Sequence, residues 1–100
     1  MKNFRTYQIA VKFYHGCNGL SLKGDARDQL SRAARSTVLN LAEGRGRRTS
    51  KDQVRFFQIA FGSLRECQAV LELECLSETE LVKIADKLAA HLYRLIQNAE

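Results

Sequence analysis

Arg45, Arg47 and Arg48 alternate with Gly44 and Gly46, and Thr49, Ser50, Lys51 and Arg55 follow closely. Cationic groups at this density suit one chemistry, the charge-assisted recognition of phosphate or carboxylate oxygens. Glycine lets a backbone approach an anion, so the stretch admits a phosphate cradle, a basic finger for nucleic acid, or a plain helix connector. The nucleotide-cofactor form of the cradle fails on spacing. A third glycine would fall at Thr49, no strand precedes it, and the chain has no Walker A sequence. The five cations Arg45, Arg47, Arg48, Lys51 and Arg55 therefore carry two readings. They contact a polyanion backbone, or they answer the dipole of a helix end.

Other chemistry-bearing residues do not gather. His15 and His91 lack a ligand partner at i+4, so no metal and no cofactor are expected. His91 borders an apolar stripe and reads as a packed core histidine. Ser63, within Gly62-Ser63-Leu64, lacks the nucleophile-elbow pattern and lies mid-helix. Glu72 and Glu74, two apart on a helix, face different directions. The chain is thus expected not to be an enzyme, unless Arg35, Glu43 and Glu66 form a site between subunits. Cys17, Cys67 and Cys75 contain no CxxC pair and read as buried free thiols of a reducing cytoplasm.

One hundred residues allow one domain, 1–100, around a single core. The absence of proline favours long helices and short links. The net charge of +5 is unevenly spread: residues 1–24 carry +4 without an acid, 44–55 another +4, and 56–80 carry −4. Such a dipolar chain suits a polyanion partner or self-assembly through complementary charge. No apolar run is long enough to span a membrane, and Lys12 and His15 interrupt the only candidate secretory segment. The expected location is the cytoplasm.

Apolar spacing predicts four helices. The first runs from Asn3 to about Asn18 on a stripe of Phe4, Tyr7, Val11 and Tyr14, with Ile9 and Phe13 on its flank. After a loop at 19–24, the second runs from about Asp25 to Glu43, with Leu30, Ala33, Ala34, Thr37 and Leu41 inward. Asp28 and Arg32 form an i,i+4 pair on it, and Gly44 should end it as a left-handed residue. Ser50 with Gln53 reads as the capping box of a third helix, about Lys51 to Glu74. Phe57, Ala60, Phe61, Leu64, Gln68 and Leu71 form one face of that helix, and Phe56, Ile59, Ser63 and Val70 an adjacent second. Together they exceed the ~100° stripe of an outer bundle helix. Phe56, Ile59, Ser63, Glu66 and Val70 are therefore expected to meet another copy. Ser77 with Glu80 starts a fourth helix, to about Asn98, with Leu81, Ile84, Ala85, Leu88, Leu92, Leu95 and Ala99 inward. Lys83, Lys87 and Arg94 lie on its opposite side. Short links make this an all-α, antiparallel up-down-up-down four-helix bundle.

Arg32-Ala33-Ala34, Asn40-Leu41-Ala42-Glu43-Gly44, Gly46-Arg47, Phe56, and Ala60-Phe61-Gly62-Ser63-Leu64 with Glu66 add a further signal. In this combination, residues 29–72 resemble the bacterial four-helix-bundle family named for proteins encoded in 23S rRNA intervening sequences, and Phe4 to Ala10 fits its N-terminal segment. The family commonly has Ser-Ile-Pro where this chain has Ser36-Thr37-Val38. The resemblance implies a closed bundle assembling as a ring-shaped homopentamer, with no known catalysis. It also implies kinship with the accessory variability determinant of diversity-generating retroelements, which binds nucleic acid and a reverse transcriptase through basic surfaces. The expectation is a non-enzymatic homo-oligomer holding RNA or DNA backbone through Arg45, Arg47, Arg48, Lys51 and Arg55, with a reverse transcriptase as a further partner. The alternative is a protein-interaction module whose arginine loop is structural.

Overall fold

Without proline and with short links, the chain runs as four α-helices: α1 Arg5–Asn18, α2 Gly24–Arg45, α3 Ser50–Leu73 and α4 Glu80–Ala99. The structure is a computed structural model that describes residues 4–77 and 79–99, and among these there is no strand. The expected start of the first helix at Asn3 lies outside the described residues. α2 packs against α1 and α3, and α4 against α3 and α1, while the pairs α1–α3 and α2–α4 make no close backbone approach among the described residues. Each helix thus answers to two neighbours, and this decides which faces are buried.

On α2 the expected inner face holds: Leu30, Ala33, Ala34, Thr37 and Leu41 are all buried. The alanines allow close helix approach, and the Thr37 hydroxyl donates to the Ala33 carbonyl at 2.9 Å, so no buried polar atom is orphaned there. The Asp28–Arg32 pair takes another form. Arg32 Nε donates to the Asp28 carbonyl oxygen at 3.4 Å, and the Asp28 carboxylate meets Arg27 at 3.5 Å.

α1 corrects the expected stripe. Its buried residues are Thr6, Ala10, Phe13 and Cys17, whereas Tyr7, Val11 and Tyr14 are half-buried. The aromatic positions sit at the edge of the helix, where a tyrosine can bury its ring and keep its hydroxyl wet. On α3 the buried set gains Cys67 and Val70. The wide apolar surface is mostly consumed inside the protomer, because α3 is flanked by both α2 and α4. What stays outside is Ile59, 45% exposed, and Leu73, 79% exposed. α4 buries Leu81, Ala85, Leu88, Ala89 and Leu92, with Ile84, Leu95 and Ala99 half-buried at its edges.

Three helix ends depart from expectation. Gly44 is helical, and α2 continues to Arg45 with Gly46 capping at φ −83°. Gly44 is needed for space, since a Cβ there would lie 2.7 Å from Phe57 Cε1 and 2.8 Å from Cδ1. The cap of α3 is Thr49, whose side chain accepts from the Asp52 N–H at 3.1 Å, and Gln53 Nε2 instead donates to the Arg47 carbonyl. α4 starts at Glu80, later than a box at Ser77 implies, with the Thr79 carbonyl accepting from Val82 N–H.

The end of α3 carries strain. Leu76 N–H donates to the Leu71 carbonyl (2.8 Å) and Cys75 N–H to that of Glu72 (3.1 Å), the two bonds of a Schellman stop. Its left-handed position is Cys75, at φ 60°, where glycine is usual. A Cβ in that conformation costs ~1–2 kcal/mol, part of which glycine's greater unfolded entropy would cancel. Cys75→Gly is therefore expected to stabilise the fold by about 0.5–1 kcal/mol, read from the urea midpoint. A lower midpoint would contradict this account.

Candidate functional site

The link between α2 and α3 and the turns beside it gather the five cations at one end of the molecule. Arg45 closes α2, Arg47 and Arg48 lie in the link, and Lys51 and Arg55 sit in the opening turns of α3; all five are exposed. Three of them stand on aromatic rings. The Arg45 guanidinium lies 4.7 Å from the Phe4 ring centroid, and those of Arg47 and Arg55 lie 4.6 and 4.9 Å from that of Phe56. Each such stacking contributes about 0.5–1 kcal/mol at an exposed site. A guanidinium stacked by its face still has in-plane N–H donors, the edge that reads phosphate oxygens in a fork. Arg47 also pairs with Glu43 at 2.8 Å. Arg48 and Lys51 have neither carboxylate nor ring partner among the described residues.

The platform beneath is continuous with the core. Phe4 lies 6.5 Å from Phe57, centroid to centroid, and Phe57 is buried under Gly44. The arrangement can hold anions by charge and hydrogen bonding. Sequence spacing shows that the five cations are close in the chain but not that Arg45 rests on Phe4, because those two residues are far apart in it.

The residues expected to meet another copy divide. Phe56 is half-buried and carries Arg47 and Arg55. Ser63 shares a 2.7 Å hydrogen bond with Ser36 of α2, to which Asn40 adds donations to the Ser36 carbonyl (2.9 Å) and hydroxyl oxygens (3.1 Å). Val70 belongs to the core. Only Ile59 and Glu66 of the five are exposed, and Gly62, Ala69 and Leu73 share that outer ridge at helical spacing. The alternation Arg55, Ile59, Gly62, Glu66, Ala69, Leu73 by four and three was readable in the sequence as a seam.

Glu66 bonds neither Arg55 nor Arg65. Arg65 donates to Gln68 Oε1 at 2.8 Å and lies over the Phe61 ring, and Gln68 passes a bond to Asp86 of α4. Glu43 is engaged by Arg47, and Arg35 lines a shallow apolar hollow with Tyr14, Val38 and Leu39. Cys17 and Cys67 are buried and Cys75 is exposed, a correction to three buried thiols. Burial pushes the Cys17 thiol up to about 12, and Cys67 rises for the same reason, so both are unreactive near neutral pH. Among the described residues, no three His, Cys, Asp or Glu side chains gather to hold a metal ion, and no helix is long and apolar enough to cross a membrane.

His91, on α4, is half-buried rather than packed in the core. Burial first, then the charges of Arg94, Arg5 and Lys87, hold its pKa below the ordinary histidine value. The folded protein therefore binds this proton less readily than the unfolded chain. The stability this gives is present above an unfolded pKa of about 6.5 and is lost as pH falls through it toward the folded value. Denaturant midpoints should fall between neutral pH and about 5, and His91→Gln should remove part of that fall. An identical pH profile in the variant would contradict the assignment.

Residues 3–99 match the family described as 23S rRNA-intervening sequence protein. Comparison with curated proteins found no match, and comparison with solved structures found none either.

Proposed function

Because the chain belongs to the family of 23S rRNA-intervening sequence proteins, we propose that it is a non-enzymatic homo-oligomer that binds the backbone of RNA or DNA. The observation that supports this most is the end of the molecule where Arg45, Arg47, Arg48, Lys51 and Arg55 all stay exposed, three of them on rings that orient them. Contacts of this kind are to phosphate and carry no base reading. The helices are taken as an antiparallel up-down-up-down bundle, and the copies as a ring of five, with a reverse transcriptase as one partner the assembly would serve. The salt dependence of binding is the test: replacing Arg45, Arg47 and Arg48 should make it shallower.

Self-association is supported by the ridge of α3. Gly62 lies mid-helix and exposed, and beyond its chain neighbours and the local backbone of α3 itself nothing comes within 4 Å of where a Cβ would stand. Glycine there costs a lone helix about 1 kcal/mol against alanine. A neighbouring copy seated against the ridge gives the small residue a reason. Size-exclusion light scattering should then report a multimer for the natural chain and a smaller species for Gly62→Arg. A single-chain mass for the natural protein at micromolar concentration would end the oligomer reading. The exposed Leu39, at 54%, and Leu73 favour a second reading, a protein-docking module. A partner capture that survives nuclease, with no nucleic acid bound, would select it.

A further inference from the structure

The cations without partners are not confined to the arginine tip. Arg5 and Lys12 of α1 and Lys87 and Arg94 of α4 are exposed, and among the described residues none has a carboxylate or ring partner. They follow the helical repeat. Arg5, Lys12 and Gly16 share a stripe of α1, and Lys83, Lys87, His91 and Arg94 a stripe of α4. The packing of α1 on α4 sets these stripes side by side. Gly16 lies against Leu81, and Arg5 is near enough to His91 for its charge to be felt there. α1 contains no acid. On α4, Glu80 is held by Lys83 at 3.8 Å, and Asp86 accepts from Gln68 of α3, away from the seam. Like charges have thus been brought together with little to neutralise them, at some cost to the fold.

We infer that the seam between α1 and α4 is a second polyanion-binding face, on which a nucleic-acid strand lies along the helices with its phosphates on Arg5, Lys12, Lys87 and Arg94. The inference rests on the nucleic-acid reading above and assigns it a surface distinct from the tip. Lys83 to Arg94 spans about 16 Å at ~1.5 Å per residue, so several phosphates of one strand pass over the face. A hydrated polyanion fits better than an anionic membrane. A membrane-surface helix inserts large apolar side chains beside its cations. Here the exposed ones lie elsewhere: Leu39 on α2, Ile59 and Leu73 on α3, and Tyr93 at helical spacing from Asp86 on the α3 side of α4. His91 lies amid the seam cations, so phosphates overhead favour its protonated form and binding tightens as pH falls.

The experiment is fluorescence anisotropy of a labelled oligouridine across a salt series. It compares the full chain, a seam variant (Lys12→Ala, Lys87→Ala, Arg94→Ala) and a tip variant (Arg45→Ala, Arg47→Ala, Arg48→Ala). The substituted groups are exposed, and matching thermal melts establish that each variant folds. With three cations removed, the seam variant should show a plot of log K against log salt shallower by about 2–3 units, while the tip variant keeps the seam's share of the slope. A seam variant that binds like the natural chain, while the tip variant does not, overturns the inference and leaves the nucleic-acid reading standing. No binding by the natural chain ends both. A seam variant that loses only its binding to phosphatidylserine vesicles overturns it in favour of a membrane. His91→Gln should reduce the pH response of binding, and a response left unchanged counts against a strand passing over His91.

Discussion

Truncating Phe57 to alanine should cost the fold about 3–5 kcal/mol, a large part of the ~5–15 kcal/mol that holds a domain of this size together. Phe57 is 4% exposed and is wedged between α3 and the last turn of α2, its ring edge where a Gly44 side chain would otherwise be. The phenyl ring cannot be replaced by a neighbour shifting in, because Gly44 has no side chain to offer and the flanking backbone is helical. The effect reaches the surface as well. Phe4 leans on Phe57 and carries the Arg45 guanidinium, so the truncation frees that arginine. Urea denaturation followed by far-UV circular dichroism measures the first effect. Gly44→Ala tests the same packing from the other side. It is expected to destabilise despite alanine's ~1 kcal/mol advantage in helix propensity, because the added carbon meets the ring. A cost under about 1 kcal/mol in Phe57→Ala would mean the site can collapse, and the wedge would not be what closes this end.

Replacing Arg45, Arg47 and Arg48 together by alanine should weaken binding to RNA or single-stranded DNA by about a hundredfold near ~0.1 M salt. Each phosphate that is no longer neutralised makes the plot of log K against log salt shallower by ~0.7–0.9, hence about 2–3 units for three. The structure also ranks the single changes. Arg47 must loosen its 2.8 Å pair with Glu43 to meet a phosphate, so Arg47→Ala should weaken binding less than Arg48→Ala, whose side chain has no such partner among the described residues. That pair is exposed and worth only ~0–1 kcal/mol, so the difference is modest. Binding that ignores the triple substitution at every salt concentration would remove the tip from the nucleic-acid reading.

Much of the fold is legible from residue spacing. The apolar period of α2 is carried mainly by small and branched residues of one face, and Leu30, Ala33, Ala34, Thr37 and Leu41 are buried as that period requires. The clean stripe of α4 is equally readable, because each residue's own helix determines which neighbours share its face. The cluster of arginines is readable too, being local in the chain. α1 defeats the same reading because nearly every position of its stripe and flank is apolar or aromatic, so period alone cannot tell Phe13 from Tyr14. That choice falls to two neighbours approaching at once. Val70 goes to the core for the same reason.

The sequence by itself determined four helices, their approximate limits, the inner face of α2 and a chain of two opposite charges, since these follow from relations between residues a few positions apart. Only the tertiary structure decided that Gly44 makes room for a ring thirteen residues on, that Arg45 rests on Phe4 and that the cations of α1 and α4 share one seam. Each depends on residues distant in the chain, whose meeting is set by how whole helices pack and leaves no local trace.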